Sequence, residues 1–522
     1  NYPWKGEPDI DIDSVEISDP NLKPFLRNQL KQYKQVLARH EWDSGRLVDG
    51  IQPFSIDLIK EDHPDKDGFL SKEYWTKPDD KKEVLRQLQG MVDYGKITKI
   101  ERTTKYISPI FTVSKKTGDV RIVFDYRKLN NITQKQLWTI PEPDKLFRKF
   151  KGKNYITSLD MKGGYWHVPI REEDKPKTAF IFNGDVYQWN VLPFGPTNAP
   201  MYFQQCMDKI FGHLDYVTVY LDDISIMSDT LEEHKVHLHE VFQLLKRHNI
   251  KLRLDKCRWG VKDTEYLGFI VNKYGTKCKA DYVKKILNVP VPPTKKALKR
   301  YLGLVQFLHK YIPQMHNQAA ILTKLLQKER NRIINWKEHQ LKAFRQLQDA
   351  VQSVKILMHP DIDKEFHVFT DASKYGIGGM LAQEDENGDI RPVAYCSKVF
   401  SDTQTRWHVS EQEVYAAIYC TEKWSDLLRH RKFTLHTDHK NLQKLFNKAT
   451  NFKSNKAFRW AVRFQDFTLN VNTSKDPKTL LPTTYRENPC YYNQRDIERS
   501  KTFTTPAQNQ TPRATNYQTL EE

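Results

Sequence analysis

Val217-Thr218-Val219-Tyr220-Leu221-Asp222-Asp223-Ile224-Ser225-Ile226-Met227 is the stretch that decides the fold. Two apolar runs, Val217–Tyr220 and Ile224–Met227, flank an acidic pair, which predicts a hairpin with Asp222 and Asp223 at its bend. Adjacent carboxylates beside apolar strands are costly unless a cation neutralises them. Taken alone, the pair also fits a solvated turn, because Asp suits turns.

A third carboxylate shifts that balance. Asp160 follows the apolar run Tyr155–Leu159 and precedes Met161-Lys162-Gly163-Gly164-Tyr165, where glycine permits a tight bend. An aspartate at that strand end can meet the hairpin pair. Three such carboxylates can hold two Mg²⁺ ions about 3.5–4 Å apart, the arrangement in-line phosphoryl transfer requires.

Outward from these residues, strand-like runs alternate with helical ones from Thr76 to Val271. They include Tyr106–Val113, Val120–Phe124 and Thr178–Ile181, and the pattern reads as α+β. One helical stretch, Pro24 to Ala38, lies upstream. Val289-Pro290-Val291-Pro292-Pro293 is a break, after which Thr294 can cap a helix carrying Leu298, Leu302, Val305 and Leu308. A second alternating segment runs from Phe366 to Arg486. The tail from Glu487 is rich in Thr, Asn and Gln and is expected to be disordered.

Several further motifs occur in one order: Ser108-Pro109-Ile110; Val120 through Phe124-Asp125-Tyr126-Arg127-Lys128-Leu129-Asn130; Leu159-Asp160; and Leu192-Pro193-Phe194-Gly195-Pro196-Thr197-Asn198-Ala199-Pro200. Then come Tyr220-Leu221-Asp222-Asp223, Lys256-Cys257 and Tyr266-Leu267-Gly268-Phe269. With these motifs the chain resembles the reverse transcriptases of LTR retrotransposons and retroviruses, the Gypsy class above all. The resemblance implies a right-hand polymerase of fingers, palm and thumb, followed by an RNase H-like α/β domain. The boundaries it implies are 1–75 for an N-terminal extension, 76–275 for fingers and palm, and 276–355 for thumb and connection. The RNase H-like domain would span 356–486 and the tail 487–522.

The same resemblance assigns roles. Asp160, Asp222 and Asp223 become the catalytic metal ligands. Lys115 and Arg121 would grip the incoming triphosphate, and Tyr165 would be the aromatic gate that disfavours a ribose 2′-hydroxyl. Phe194 and Gly195 would lie against the nucleotide. Lys256 would protonate the departing pyrophosphate, and Tyr266-Leu267-Gly268 would hold the primer end. Lys115, Arg121 and Lys256 are equally compatible with ordinary solvated charges, and Tyr165 with core packing. Tyr165-Trp166-His167 departs from the family's usual Tyr-His-Gln, with no evident cost. Basic residues after the palm (Lys295, Lys296, Lys299, Arg300 and Lys310) suit a thumb that tracks a duplex, or simply a solvated helix face.

In the second segment, Asp371 ends the strand-like Phe366–Thr370. Glu413 leads into the helical run Val414–Cys420, and Asp438 follows Phe433–Thr437. This order resembles the RNase H domain of the same elements and implies a second metal site on Asp371, Glu413 and Asp438. Ser410 and Glu413 also have capping-box spacing, which would explain the glutamate without catalysis. The family closes this domain with an aspartate, its fourth ligand. Here Leu480-Leu481-Pro482-Thr483-Thr484-Tyr485-Arg486 has none in place, and neither Asp476 nor Glu487 is in register. Impaired RNase H activity is the expectation.

Bulk properties agree with this reading without demanding it. At 522 residues the chain is long enough for two or three domains. Its 83 Lys+Arg against 65 Asp+Glu give a net charge of +18. That field suits polyanions, though a membrane-surface or ribosome-associated protein would carry a similar one. The six cysteines form no CxxC, no apolar run is long enough for a membrane span, and no secretory signal opens the chain. Beginning at Asn1 fits a product cut from a polyprotein, or an expression fragment. Asp43-Ser44-Gly45 matches an aspartic-protease triplet but lacks that family's other elements.

The partners implied are RNA/DNA hybrid, DNA primer–template and deoxynucleoside triphosphates, with no membrane. The cofactor implied is Mg²⁺, two ions in the polymerase site and up to two in the RNase H site, with Mn²⁺ as substitute. The oligomeric state is left as monomer or homodimer. Cytoplasmic virus-like particles are the expected location, their DNA product passing to the nucleus. Two alternatives stand beside this reading: a decayed element protein that binds nucleic acid without catalysis, and an RNA-dependent RNA polymerase, which Tyr165 as a gate argues against.

Overall fold

The computed structural model describes residues 10–48, 50–101, 104–114, 120–327, 332–373, 376–437 and 455–472. It divides into two compact units, Asn1–Lys277 and Cys278–Glu522.

In the first unit the hairpin forms as its two apolar runs predict. Val217–Tyr220 pairs antiparallel with Asp223–Ser228, Tyr220 opposite Asp223. The strand Tyr155–Asp160 lies on the other side of Asp223–Ser228, with Asp160 opposite Asp223, and Arg258–Val261 forms the edge beyond it. Ile224 to Ser228 are all buried, so this central strand is covered on both faces. The helix Ala199–Phe211 packs against Val217–Tyr220, and the helix Leu231–Arg247 against Asp223–Ser228.

Thr230 starts the latter helix with a capping box: its hydroxyl accepts from Glu233 N, and the Glu233 carboxylate accepts from Thr230 N. The helix buries His234, Leu238, Val241, Phe242 and Leu245, one helical stripe. His234 reaches Thr157 Oγ1 and Ser228 Oγ, each at 2.8 Å, so these three buried side chains satisfy one another.

A second sheet runs in the order Phe69–Leu70, Tyr106–Ser114, Phe180–Phe182, Asp185–Trp189, Ile97–Lys99, with Val120–Phe124 paired to Tyr106–Ser114. Aromatic packing of Phe124 on Phe180 (4.9 Å) and Trp189 (5.1 Å) ties the hairpin arm to it. The strand expected at Thr178–Ile181 begins only at Phe180. Glu172–Thr178 is instead a 3₁₀ helix, wrapped on the buried carboxylate of Asp174, which accepts from Arg171 Nε and Ile56 N. The helix expected over Pro24–Ala38 stops at Gln32 and is followed by a 3₁₀ turn, Lys34–Val36. Its end is drawn into pairing with Leu252: Leu252 N donates to Val36 O, and Ala38 N to Leu252 O.

In the second unit Thr294 caps the helix Lys295–Gln306, its hydroxyl accepting from Ala297 N at 3.2 Å. Leu298, Tyr301, Val305 and Leu308 pack with Phe344, Leu347 and Val351 of the helix Glu338–Gln352. Beyond them lies a sheet in the order Ile390–Val399, Gly376–Glu384, Phe366–Ala372, Lys432–His436, Thr468–Asn472. The helix Val409–Lys423 packs on Phe366–Ala372 and Gly376–Glu384. No helix among the described residues is long and apolar enough to cross a membrane.

Candidate active site

Asp160 and Asp223 are direct cross-strand partners, which sets their Cβ atoms about 4.5–5.5 Å apart. Asp222 sits in the two-residue turn beside them. Leu221 precedes it with a φ of 53°, a left-handed conformation unusual for leucine. Gln204 of the helix Ala199–Phe211, fully buried, holds that turn in place. Its Oε1 accepts from Leu221 N at 2.8 Å, while its Nε2 donates to Val219 O at 3.0 Å and to Asp208 Oδ1 at 2.8 Å. Gln204 is not among the residues singled out from the sequence. A glutamine on a helical stripe with Phe203, Met207, Ile210 and Phe211 was the available signal.

Gly163 and Gly164 serve different ends. Gly163 takes a φ of 63° and makes the bend. At Gly164 a Cβ would stand 1.9 Å from Asp222 Oδ1, so only glycine lets the carboxylate lie there. That oxygen is buried and has no hydrogen-bond partner among the described residues. Burial, reinforced by the charges of Asp223 and Asp160, lifts the Asp222 carboxyl to about 6. Burial also raises Asp160, against the opposing pull of Lys256 and Arg253.

A buried, unsatisfied carboxylate oxygen flanked by two more carboxylates suits a hard divalent cation. Among the described residues no three His, Cys, Asp or Glu side chains already surround one cation position. Asp160 faces Asp223 across the strands, and the charges of both act on Asp222.

The folded pKa of Asp222, about 6, lies above the unfolded value of 3.8, so the folded state binds the extra proton. Stability contributed this way is present below the unfolded pKa and is lost as pH rises through 6. With divalent ions chelated at pH 8, Asp222→Asn is expected to unfold at higher urea than the parent, by about 2–3 kcal/mol, the difference vanishing near pH 4. An Asp222→Asn variant no more stable than the parent at pH 8 would show that the carboxylate carries no such burden.

The other residues singled out from the sequence fall into place unevenly. The Tyr165 ring is stacked on Phe194 (centroids 4.9 Å apart) and tilted against Phe203 (5.1 Å), which fixes it beside Asp222; burial, then Asp222, raises its hydroxyl pKa. Phe194 is 48% exposed. Gly195 has a φ of 116°, and a Cβ there would meet Tyr126 Cδ2 at 3.1 Å. Asn130 clamps that loop, donating to Gly195 O at 3.0 Å and accepting from Thr197 N at 2.8 Å. Arg121 is exposed on its strand opposite Val113, and Lys115 lies outside the described residues.

A cavity of about 1270 Å³ opens beside the carboxylates, bordered by Asp160, Lys162, Asp223, Arg253, Lys256 and Gly268. Leu267 and Gly268, with φ of 52° and 85°, form the turn at its rim. Tyr266 does not join them: its ring is 1% exposed and packs against Phe147 and Phe150, so it supports the turn from inside. Asp43-Ser44-Gly45 is a packing element. Asp43 accepts from Arg39 N, Ser44 O accepts from Lys96 Nζ, and a Cβ at Gly45 would overlap Asn249 O.

In the second unit Asp371 lies on the strand Phe366–Ala372, and Glu413, 4% exposed, accepts from Ala372 N at 3.3 Å through Oε1. The capping box considered for Ser410 and Glu413 does not form. The helix begins at Val409 with His408 as its cap, so Glu413 lies past the first turn and turns toward the strand carrying Asp371. Asp438, Asp476 and Leu480–Arg486 lie outside the described residues.

Comparison with known proteins identifies two domains in the chain. Residues 113–271 match the family model of reverse transcriptase (RNA-dependent DNA polymerase). Residues 361–467 match the RNase H-like domain found in reverse transcriptase. The retrovirus-related Pol polyprotein from transposon 297 of Drosophila melanogaster is 34% identical over 414 residues, covering 78% of this chain and 38% of the relative. The transposon Tf2-3 polyprotein of Schizosaccharomyces pombe is 28% identical over 467 residues, covering 88% and 34%. The chain thus spans little more than a third of the length of either relative.

Among solved structures, a foamy viral protease-reverse transcriptase in complex with RNA/DNA hybrid has a TM-score of 0.74 at 21% identity, over 97% of this chain and 64% of that one. A second, in complex with dsDNA, reaches 0.77 at 22% identity, over 89% and 96%. The α+β polymerase fold with an RNase H-like domain is therefore the fold of this chain.

Proposed function

Because the chain belongs, through its domains at 113–271 and 361–467, to the Pol-type reverse transcriptases of LTR retroelements, we propose that it copies RNA and DNA templates into DNA. Its second domain would hydrolyse the RNA of RNA/DNA hybrids. The register that sets Asp160 against Asp223, with the unsatisfied Asp222 oxygen beside them, carries this reading. The substrates are primer–template and deoxynucleoside triphosphates. Mg²⁺ is the proposed cofactor, two ions at the palm and up to two at the second site, with Mn²⁺ able to replace it. When bound, such ions activate the primer 3′-hydroxyl and offset charge on the triphosphate.

The chain's own residues do the rest. Asp160, Asp222 and Asp223 supply the oxygen donors at one strand end. Tyr165, fixed by Phe194 and Phe203, forms a wall where a 2′-hydroxyl would project. Arg121, with Lys115, grips the triphosphate, Arg by its planar fork. Lys256, on the cavity beside Asp160, gives a proton to the departing pyrophosphate. The Leu267-Gly268 turn holds the primer end at the same cavity. Primer extension on poly(rA)/oligo(dT) with dTTP and Mg²⁺ tests the proposal; failure to extend any template with either metal would refute it.

The second domain is proposed to be a weak hydrolase, because its closing segment lacks the fourth carboxylate. Losing one ligand in four costs several kcal/mol at the transition state, or roughly 10³-fold in rate. End-labelled RNA in a hybrid is expected to be cut slowly with Mg²⁺ and faster with Mn²⁺. Robust Mg²⁺-dependent cleavage, abolished by Asp371→Asn, would contradict the impairment.

A further inference from the structure

Asp371, Gly378 and Ser397 form one cross-strand row: Asp371 pairs with Gly378, and Gly378 with Ser397. Their side-chain positions therefore share a face of the sheet. The opposite face carries the helix Val409–Lys423, since a Cβ at the neighbouring Gly379 would strike Cys420 Sγ at 2.4 Å. On the Asp371 face lies the segment leading into the helix Met315–Lys324. Tyr395 N donates to Lys310 O at 3.0 Å, and His316 N donates to Ser397 Oγ at 3.0 Å.

Between these two anchors stands Gln314, with a φ of 47°. A left-handed glutamine costs roughly 1–2 kcal/mol, which the anchors on either side must sustain. That conformation lays the side chain across Gly378, where a Cβ would meet Gln314 Cγ at 2.8 Å. The amide then reaches Asp371, Nε2 lying 3.4 Å from Oδ2. A strained backbone, a glycine that clears the path and two flanking hydrogen bonds all serve the same contact.

We infer that Gln314 is a positioning residue for Asp371, contributed to the RNase H-like site by the segment that precedes that domain. An amide suits the task. It donates to one carboxylate oxygen and fixes the group's orientation, but it brings no charge to compete with a cation, as a lysine would. The inference rests on Asp371 being a metal ligand, and the experiment separates the two ideas.

Mn²⁺ binding would be measured by electron paramagnetic resonance on the full chain carrying Asp222→Asn and Asp223→Asn, so that palm binding does not mask the second site. In that background Gln314→Met, similar in volume but without the N–H, is expected to weaken Mn²⁺ binding about 10-fold at an unchanged unfolding temperature. Mn²⁺-supported hybrid cleavage should fall in parallel. Gly378→Ala, which pushes the Gln314 side chain aside from a strand backbone any residue can adopt, is expected to do the same, and it decides the matter if Gln314→Met does not fold. Undiminished Mn²⁺ affinity in the folded variants overturns the inference. If Asp371→Asn also leaves Mn²⁺ binding intact, the metal-site reading falls first and Gln314 falls with it.

Discussion

Asp222→Asn is expected to lower primer extension by roughly 10³-fold or more while leaving the fold intact. Asparagine keeps the size of the side chain and one acceptor oxygen but removes the charge. The buried Oδ1 beside Gly164 has no partner in the described protein, so nothing but a proton or a cation can answer its charge. If its purpose is to bind a cation, the neutral variant gains stability when metal is chelated and loses catalysis when metal is supplied. That opposition separates the account from a structural role, in which both quantities would fall together. Asp160→Asn should lose activity to a similar degree. Primer extension under single-turnover conditions, with saturating template and dTTP, is the measurement. An Asp222→Asn variant within about 10-fold of the parent would be incompatible with a catalytic carboxylate.

Gly164→Ala is expected to cost about 10² in the same assay, because displacing a catalytic group by about 1 Å has that effect. The added methyl would stand 1.9 Å from Asp222 Oδ1 and 2.8 Å from its Cγ, so the carboxylate must move; Phe203 Cζ, at 3.1 Å, blocks the other way out. Overpacking of this kind costs about 1–3 kcal/mol of stability. Gly184→Ala is the matched control. Gly184 has a φ of 79° and nothing within 4 Å of a Cβ, so alanine there strains the backbone without touching the site. That control should lose about 1 kcal/mol of stability and retain activity. Equal activity in the Gly164→Ala and Gly184→Ala variants would show that Gly164 is a turn residue only.

Much of the sheet end that carries the three aspartates was legible because it depends on local pattern. Apolar runs on both sides of Asp222-Asp223 predicted a hairpin, and a third apolar run ending in Asp160 predicted a strand. Antiparallel pairing then brings strand ends together. What escaped depends on partners distant in sequence. Gln204 gives no sign in its own helix that it latches Leu221. The reason for glycine at 164, rather than any small residue, emerges only with Asp222 against it. Tyr266 opens a turn motif, yet its ring is claimed by Phe147 and Phe150. Ser410 and Glu413 have capping-box spacing, but the helix begins one residue before Ser410, and spacing alone does not reveal that shift. Gln314 shows no local signal at all, since Asp371 lies 57 residues away.

The most direct measurement is anomalous scattering from a crystal of the chain with primer–template, an incoming nucleotide and Mn²⁺. Two peaks about 3.5–4 Å apart, bounded by Asp160, Asp222 and Asp223, are the predicted result. Peaks elsewhere, or none beside those three side chains while the nucleotide is bound, would contradict it.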